Sequence, residues 1–119
     1  MCIRDRNSDE DQAARQAAID AATRNAIEVP FRVMQVSLDS MEVMKQMAEH
    51  GNPASASDSG VGALCARAAV RGAYLNVKIN TADLDDKSYV EDKLNAGQKM
   101  VDQADALETE ILKMVEAAK

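Results

Sequence analysis

Asp58-Ser-Gly-Val-Gly-Ala-Leu-Cys-Ala-Arg-Ala-Ala-Val-Arg-Gly-Ala-Tyr-Leu-Asn-Val-Lys-Ile-Asn80 is the stretch on which the fold turns. Val61, Leu64, Ala68, Leu75 and Ile79 recur at helical steps along one face, and Val70, Tyr74 and Val77 occupy another. A helix that is apolar on most of its sides is expected to be buried. The remaining strip holds Asp58, Gly62, Cys65, Ala69, Gly72, Asn76 and Asn80, all small or polar. Along such a strip another backbone, or a ligand, can come close. Ser55, Ser57 and Asp58 offer side-chain oxygens to the unpaired amides at the start of this helix, which is expected to run to about Asn80.

Upstream, Asp9 to Ala48 is a nearly unbroken run of helix formers, with Ala pairs followed by Ile27, Phe31, Met34, Leu38 and Met41 at three- and four-residue steps. Pro30 removes one backbone donor and crowds the preceding turn, so a kink is expected there. Gly51 is expected to take a left-handed cap position, and Asn52-Pro53 to stop the helix. Downstream, Thr81 to Asp86 reads as an acidic loop, and Asp85, Asp86 or Ser88 can cap a third helix that continues to the C-terminus. That helix carries Leu94, Val101, Ala104, Ile111 and Val115, flanked by Met100, Leu107 and Met114 at sevens, which approaches a coiled-coil seam. With no alternating stretch long enough for a sheet, the class is all-α, a multihelical up-and-down bundle of long antiparallel helices.

The 119 residues bound a single domain, and 14 Lys+Arg against 20 Asp+Glu leave a net charge of −6. An acidic chain lacks the basic face that phosphate neutralisation needs, so nucleic acid is not an expected partner. Aromatic residues are 3% of the chain, which leaves the core to Ala, Val, Leu, Ile and seven Met. No apolar run reaches the length of a membrane span, so no membrane partner is expected either. Cys2 and Cys65 make no disulfide framework, and one histidine, His50, supports no zinc cluster; a reducing, cytoplasmic setting without a metal follows as the expectation. Met1-Cys-Ile-Arg-Asp-Arg6 resembles a hexapeptide that recurs as a spurious start in translated assemblies, and it is set aside from fold reasoning as a leader.

Each chemistry-bearing residue has a structural and a functional reading. Ser57 and Asp58 can cap a helix, or Asp58 can place a carboxylate at a pocket mouth. Asn76 and Asn80 lie four apart on one face, suited to interhelical hydrogen bonds or to a planar, hydrogen-bonding heterocycle. Arg67 and Arg71 can pair with acidic neighbours or hold an anionic substrate tail. Cys65 reads as a small core residue, and His50 as a cation at the negative end of a helix dipole. Met34, Met41, Met44 and Met47 read as core or partner interface.

Ala22-Thr-Arg-Asn-Ala-Ile-Glu-Val-Pro30, Gly51-Asn-Pro53, Ser57-Asp58 and Arg71-Gly-Ala-Tyr-Leu-Asn-Val-Lys-Ile-Asn80 together resemble the C-terminal domain of formiminotransferase-cyclodeaminases and the free-standing methenyltetrahydrofolate cyclohydrolases. The resemblance covers the chain from about Asp9 to its end. It implies a dimerising helical bundle that binds tetrahydrofolate as the carrier of a one-carbon unit, with no metal. Family domains carry a Pro-Gly-Gly-Gly-Ser loop on their N-terminal side, and no such run occurs here, so residues 7–119 are expected to be the C-terminal part of such a domain. Within it, Asp58 is the expected catalytic carboxylate, stabilising a cationic methenyl bridge or moving its proton. Ser57, Asn76, Asn80, Gly72 and Arg71 are the expected substrate-binding positions. The competing class is a non-catalytic acidic helical bundle or coiled-coil module, which the third helix alone would support.

Overall fold

The computed structural model describes residues 8–118; Met1–Arg6, which the sequence reading sets aside as a leader, and with it Cys2, lies outside them. Three helices account for nearly all of the described chain: α1 (Asp9–His50), α2 (Ala56–Thr81) and α3 (Lys87–Ala117), with a 3-10 turn at Pro53–Ser55 before α2. No strand occurs among the described residues, as the sequence pattern predicts. The fold is a rod, with a radius of gyration of 19.9 Å and extents of 69 × 25 × 16 Å. A globular chain of this length would have a radius of about 13.5 Å.

α1 begins at Ser8, whose hydroxyl accepts the Asp11 amide at 2.9 Å, and Asp9, Glu10 and Asp11 complement the positive dipole end of its first turn. The helix passes through Pro30 as one element of 42 residues, about 63 Å long. Residues 12–19 are all exposed, so α1 extends beyond the body formed with α2 and α3. At its other end, the Gly51 amide donates to Met47 O at 2.8 Å, and His50 pairs with Glu49 at 3.3 Å.

Gly51 is not left-handed: its φ of −80° and ψ of −176° send the chain straight out in extended conformation. Glycine is required there for a different reason, because a Cβ would run into the Met47 carbonyl oxygen. The turn that follows is built by Asn52, whose Oδ1 accepts the Ala54 amide at 3.0 Å while its carbonyl accepts that of Ser55 at 2.9 Å. The same turn bonds the first amide of α2, that of Ala56, to Pro53 O, so backbone stands there where the sequence reading put side-chain caps. Ser55 stands at the N-cap of α2 without a side-chain bond, and Ser57 and Asp58 lie inside the first turn. α3 does receive a side-chain cap, from Asp86, which accepts the Tyr89 amide at 3.2 Å.

The core is a seam in which each helix contributes one stripe. Ile27, Met34 and Met41 of α1 are fully buried at intervals of seven. α2 adds Ala63, Ala66, Val70, Ala73, Tyr74 and Val77, and α3 adds Met100, Val101, Ala104, Leu107 and Ile111. Burying each large side chain contributes about 1.5–3 kcal/mol. Glycines let the helices approach: a Cβ on Gly62 would stand 3.1 Å from Met44 Sδ, and one on Gly60 3.1 Å from Val115 Cγ2. Position 62 of α2 thus meets position 44 of α1, while Asn80, at the far end of α2, bonds Ala26. Along α3, Gly60 meets Val115, Arg67 meets Asp105, and Tyr74 meets Gly97.

Two sequence expectations fail in this packing. α2 is not buried all round: Val61, Leu64, Leu75 and Ile79 are exposed, the last two at 66% and 69%. α1 and α3 flank α2 on two sides only, and its third apolar face meets no described residue that covers it. Cys65 lies on the exposed surface rather than in the core. Among the described residues, no helix is long and apolar enough to cross a membrane.

Candidate functional site

Between α1 and α2, a groove of about 550 Å³ opens with Ala26, Val29, Pro30 and Val33 on one side and Ala69, Gly72, Ala73, Asn76 and Asn80 on the other. The volume falls within the range that small-molecule sites occupy. The C-terminal half of the small-and-polar strip read from the sequence, Ala69, Gly72, Asn76 and Asn80, lies on one wall, and the Pro30 turn of α1 forms the other; Asp58, Gly62 and Cys65 do not reach the groove. The helical glycines separate in meaning here. Those at 60, 62 and 97 are pressed by neighbouring side chains, whereas a Cβ on Gly72 would meet nothing within 4 Å. Gly72 is therefore not demanded by packing within the chain.

The two amides of the groove differ in state. Asn80 Nδ2 donates to Ala26 O across the helix pair at 3.0 Å. Asn76, one turn earlier, makes no hydrogen bond to the described residues and is exposed to the groove. A free carboxamide on an apolar wall offers one acceptor and two donors to a planar ligand edge.

The other candidates lie elsewhere. Arg71 turns toward α3, where its Nε and Nη2 hold both oxygens of Asp105 at 3.2 and 2.8 Å. Arg67 Nε holds the same carboxylate at 2.9 Å, so both arginines adopt the ion-pair reading and Arg71 is not presented to the groove. The hydrogen bonds from Arg71 and then Arg67, with their charges behind them, hold Asp105 down at about 2. Glu108 Oε2 is buried 3.6 Å from Arg67 Nε, beyond hydrogen-bond reach, and has no hydrogen-bond partner among the described residues, while that N–H bonds Asp105. Ser57 borders a small hollow between the start of α2 and the end of α3, with Pro53 and Val115. Asp58 lies beside it, exposed, about 27 Å along the helix from Asn76. Within one chain, Asp58, Ser57 and Arg71 do not join Gly72, Asn76 and Asn80 in a single site.

A second polar constellation has no counterpart among the sequence-derived candidates. Glu28 of α1 accepts from Tyr89 Oη and from Lys93 Nζ, the latter at 2.8–3.0 Å. Lys93 sits 4.0 Å above the Phe31 ring, and Arg24 lies 4.5 Å above that of Tyr89 while bonding Asp86 at 2.9 Å. The Lys93 and Tyr89 hydrogen bonds lower the Glu28 pKa, and burial, then the bond to Glu28, pushes the Tyr89 phenol up to about 12. The cluster ties α1 to the start of α3. Its only local signal is the helical spacing of Arg24, Glu28 and Phe31 on one element and of Tyr89 and Lys93 on the other. Pairings 61 to 65 residues apart leave no trace in sequence periodicity.

Helical rod, apolar groove and free amide define a class: an α-helical protein with an open groove between two of its helices. The family model for formiminotransferase-cyclodeaminase matches residues 3–99. The chain belongs to the formiminotransferase-cyclodeaminase family. It is similar to a methenyltetrahydrofolate cyclohydrolase of Methylorubrum extorquens, 36% identical over 94% of this chain and 54% of that protein. It is also similar to formimidoyltransferase-cyclodeaminases of Dictyostelium discoideum, 39% identical over 65% of this chain and 14% of the relative, and Rattus norvegicus, 27% identical over 96% and 21%. The chain thus spans about half the length of the cyclohydrolase and about a fifth or less of the two longer relatives.

Proposed function

We propose that the chain is part of a folate one-carbon enzyme acting on methenyltetrahydrofolate as a cyclohydrolase, working in the cytoplasm without a metal. The observation that carries this reading is the α1–α2 groove, where the unpaired Asn76 amide stands beside the open Gly72 on an apolar wall. The similarity to the Methylorubrum cyclohydrolase over 94% of the chain supplies the substrate class. The 39% identity to the Dictyostelium formimidoyltransferase-cyclodeaminase favours, as second reading, closure of formiminotetrahydrofolate with loss of ammonia.

In the hydrolysis, water adds to the cationic methenyl carbon, one of its two C–N bonds breaks, and a proton is released, leaving a formyl group. The groove's part is to hold the planar ring system and exclude bulk water around the reacting carbon. Asn76 orients the ring edge, and Gly72 admits it against the α2 backbone. Asp58 is the proposed carboxylate for the cation and its proton. Because Asp58 and Asn76 stand about 27 Å apart along α2, the proposal has a second copy bring its own Asp58 end to the groove, so that both residues act on one folate. The proposed assembly is accordingly a homodimer of antiparallel up-and-down helices, and the exposed Val61, Leu64, Leu75 and Ile79 supply apolar surface for it.

Loss of the methenyl chromophore on mixing the chain with methenyltetrahydrofolate tests the reading, with calorimetric titration of tetrahydrofolate alongside. Turnover that falls on replacing Asn76 by Ala supports it. No turnover together with no heat at high ligand favours the acidic interaction module instead.

A further inference from the structure

We infer that Asn80 is a positioning residue: its side-chain amide replaces the backbone donor that Pro30 lacks, and so sets α1 against α2 along the groove in which Asn76 meets the substrate. The last clause rests on the proposed folate function; the rest stands on geometry alone. In a helix the N–H of residue 30 bonds the carbonyl of residue 26. Pro30 has no N–H, and its ring crowds that same carbonyl, leaving Ala26 O as an acceptor without its ordinary partner inside a continuous helix. The donor arrives from the other helix, 54 residues away, as Asn80 Nδ2 at 3.0 Å. Proline and asparagine act as a matched pair: the first opens an acceptor on the groove side of α1, and the second closes it from α2. Ala26, Pro30, Asn80 and Asn76 all border the same groove, so the bond fixes the width of the cleft at its Asn80 end. Asn80 commits one of its two amide N–H groups to this bond, whereas Asn76 makes no hydrogen bond to the described residues.

A cycle of Asn80→Ala, Pro30→Ala and the double variant tests the pairing, read by urea unfolding and by kcat and KM for methenyltetrahydrofolate hydrolysis. Asn80→Ala in the natural background is expected to lower the folding equilibrium constant about tenfold, the consequence of an orphaned carbonyl. With Pro30→Ala present, the new N–H takes Ala26 O, and the same replacement is expected to change it about twofold or less. The KM increase caused by Asn80→Ala is expected to be reversed by Pro30→Ala, whereas that caused by Asn76→Ala is not. Equal effects of Asn80→Ala on stability in both backgrounds would overturn the inference, as would a KM defect that Pro30→Ala leaves in place, since a residue touching substrate cannot be rescued from α1. If the natural chain shows no turnover, the folate reading falls alone, and the unfolding cycle still decides whether Asn80 completes α1.

Discussion

The ring of Tyr74 occupies the space that a Cβ on Gly97 would need, and its hydroxyl donates to Leu94 O at 2.8 Å one turn earlier on α3. The two residues form a lock between α2 and α3, deep enough that burial raises the Tyr74 pKa. Gly97→Ala gains about 1 kcal/mol of helix propensity. Forcing the ring aside costs about 1–3 kcal/mol and breaks the Leu94 bond as well. The steric effect wins, and the expected outcome is a net loss of about 1 kcal/mol or more, measured as a lower urea midpoint.

Gly72→Ala is expected to do the opposite. Nothing stands within 4 Å of the added carbon, so the helix gains about 0.5–1 kcal/mol and the urea midpoint rises. The methyl group also stands at the groove wall, and binding of tetrahydrofolate is expected to weaken. A variant that is more stable yet binds as well as the natural chain would show that no ligand approaches α2 at this position.

Acid should expose the Arg67–Asp105–Arg71 cluster. The folded-state pKa of Asp105 lies at about 2, below its ordinary value of 3.8, so its contribution to stability is present above pH ~4 and is lost as pH falls from ~4 toward ~2. Asp105→Asn is expected to flatten the stability profile across that window. Added salt should reduce the difference, because the carboxylate is partly exposed. Thermal melts at half-unit pH steps provide the measurement.

Copies carrying Asp58→Asn and copies carrying Asn76→Ala should complement each other when refolded together. Each is expected to be nearly inactive alone. A mixed dimer regains one site with both residues intact, and a random mixture should recover up to about one quarter of natural activity. Active Asp58→Asn chains would remove this carboxylate from the mechanism, and inactive mixtures would separate Asp58 from the Asn76 groove.

Alkaline titration should find two unlike phenols. Tyr89, hydrogen-bonded to Glu28, is expected to ionise at about 12, and replacing Glu28 by Gln should lower that value by removing the adjacent charge. Because the folded state holds this proton more tightly than an unfolded chain, its stabilising contribution is complete below pH ~10 and declines as pH rises through ~12. Ultraviolet difference spectra of the phenolate would show the shift.

The helices, their approximate ends, and the Met100–Leu107–Met114 stripe of α3 are legible in the sequence, because side-chain period and capping chemistry act over three to seven residues. The strip of Gly72, Asn76 and Asn80 is legible for the same reason, and the structure places all three on one groove wall. What spacing along α2 cannot decide is which apolar face is covered: Val70 and Val77 are buried while Leu75 and Ile79 are not, and that choice belongs to the neighbours' positions. Nor can it show that Asn80 meets the one carbonyl of α1 that Pro30 leaves open, or that Arg71 meets Asp105 instead of the groove. The sequence by itself determined three helices and their polar and apolar stripes, since those follow from local backbone geometry. Only the tertiary structure decided the pairings between stripes, because each joins residues tens of positions apart whose proximity is set by how the helices pack.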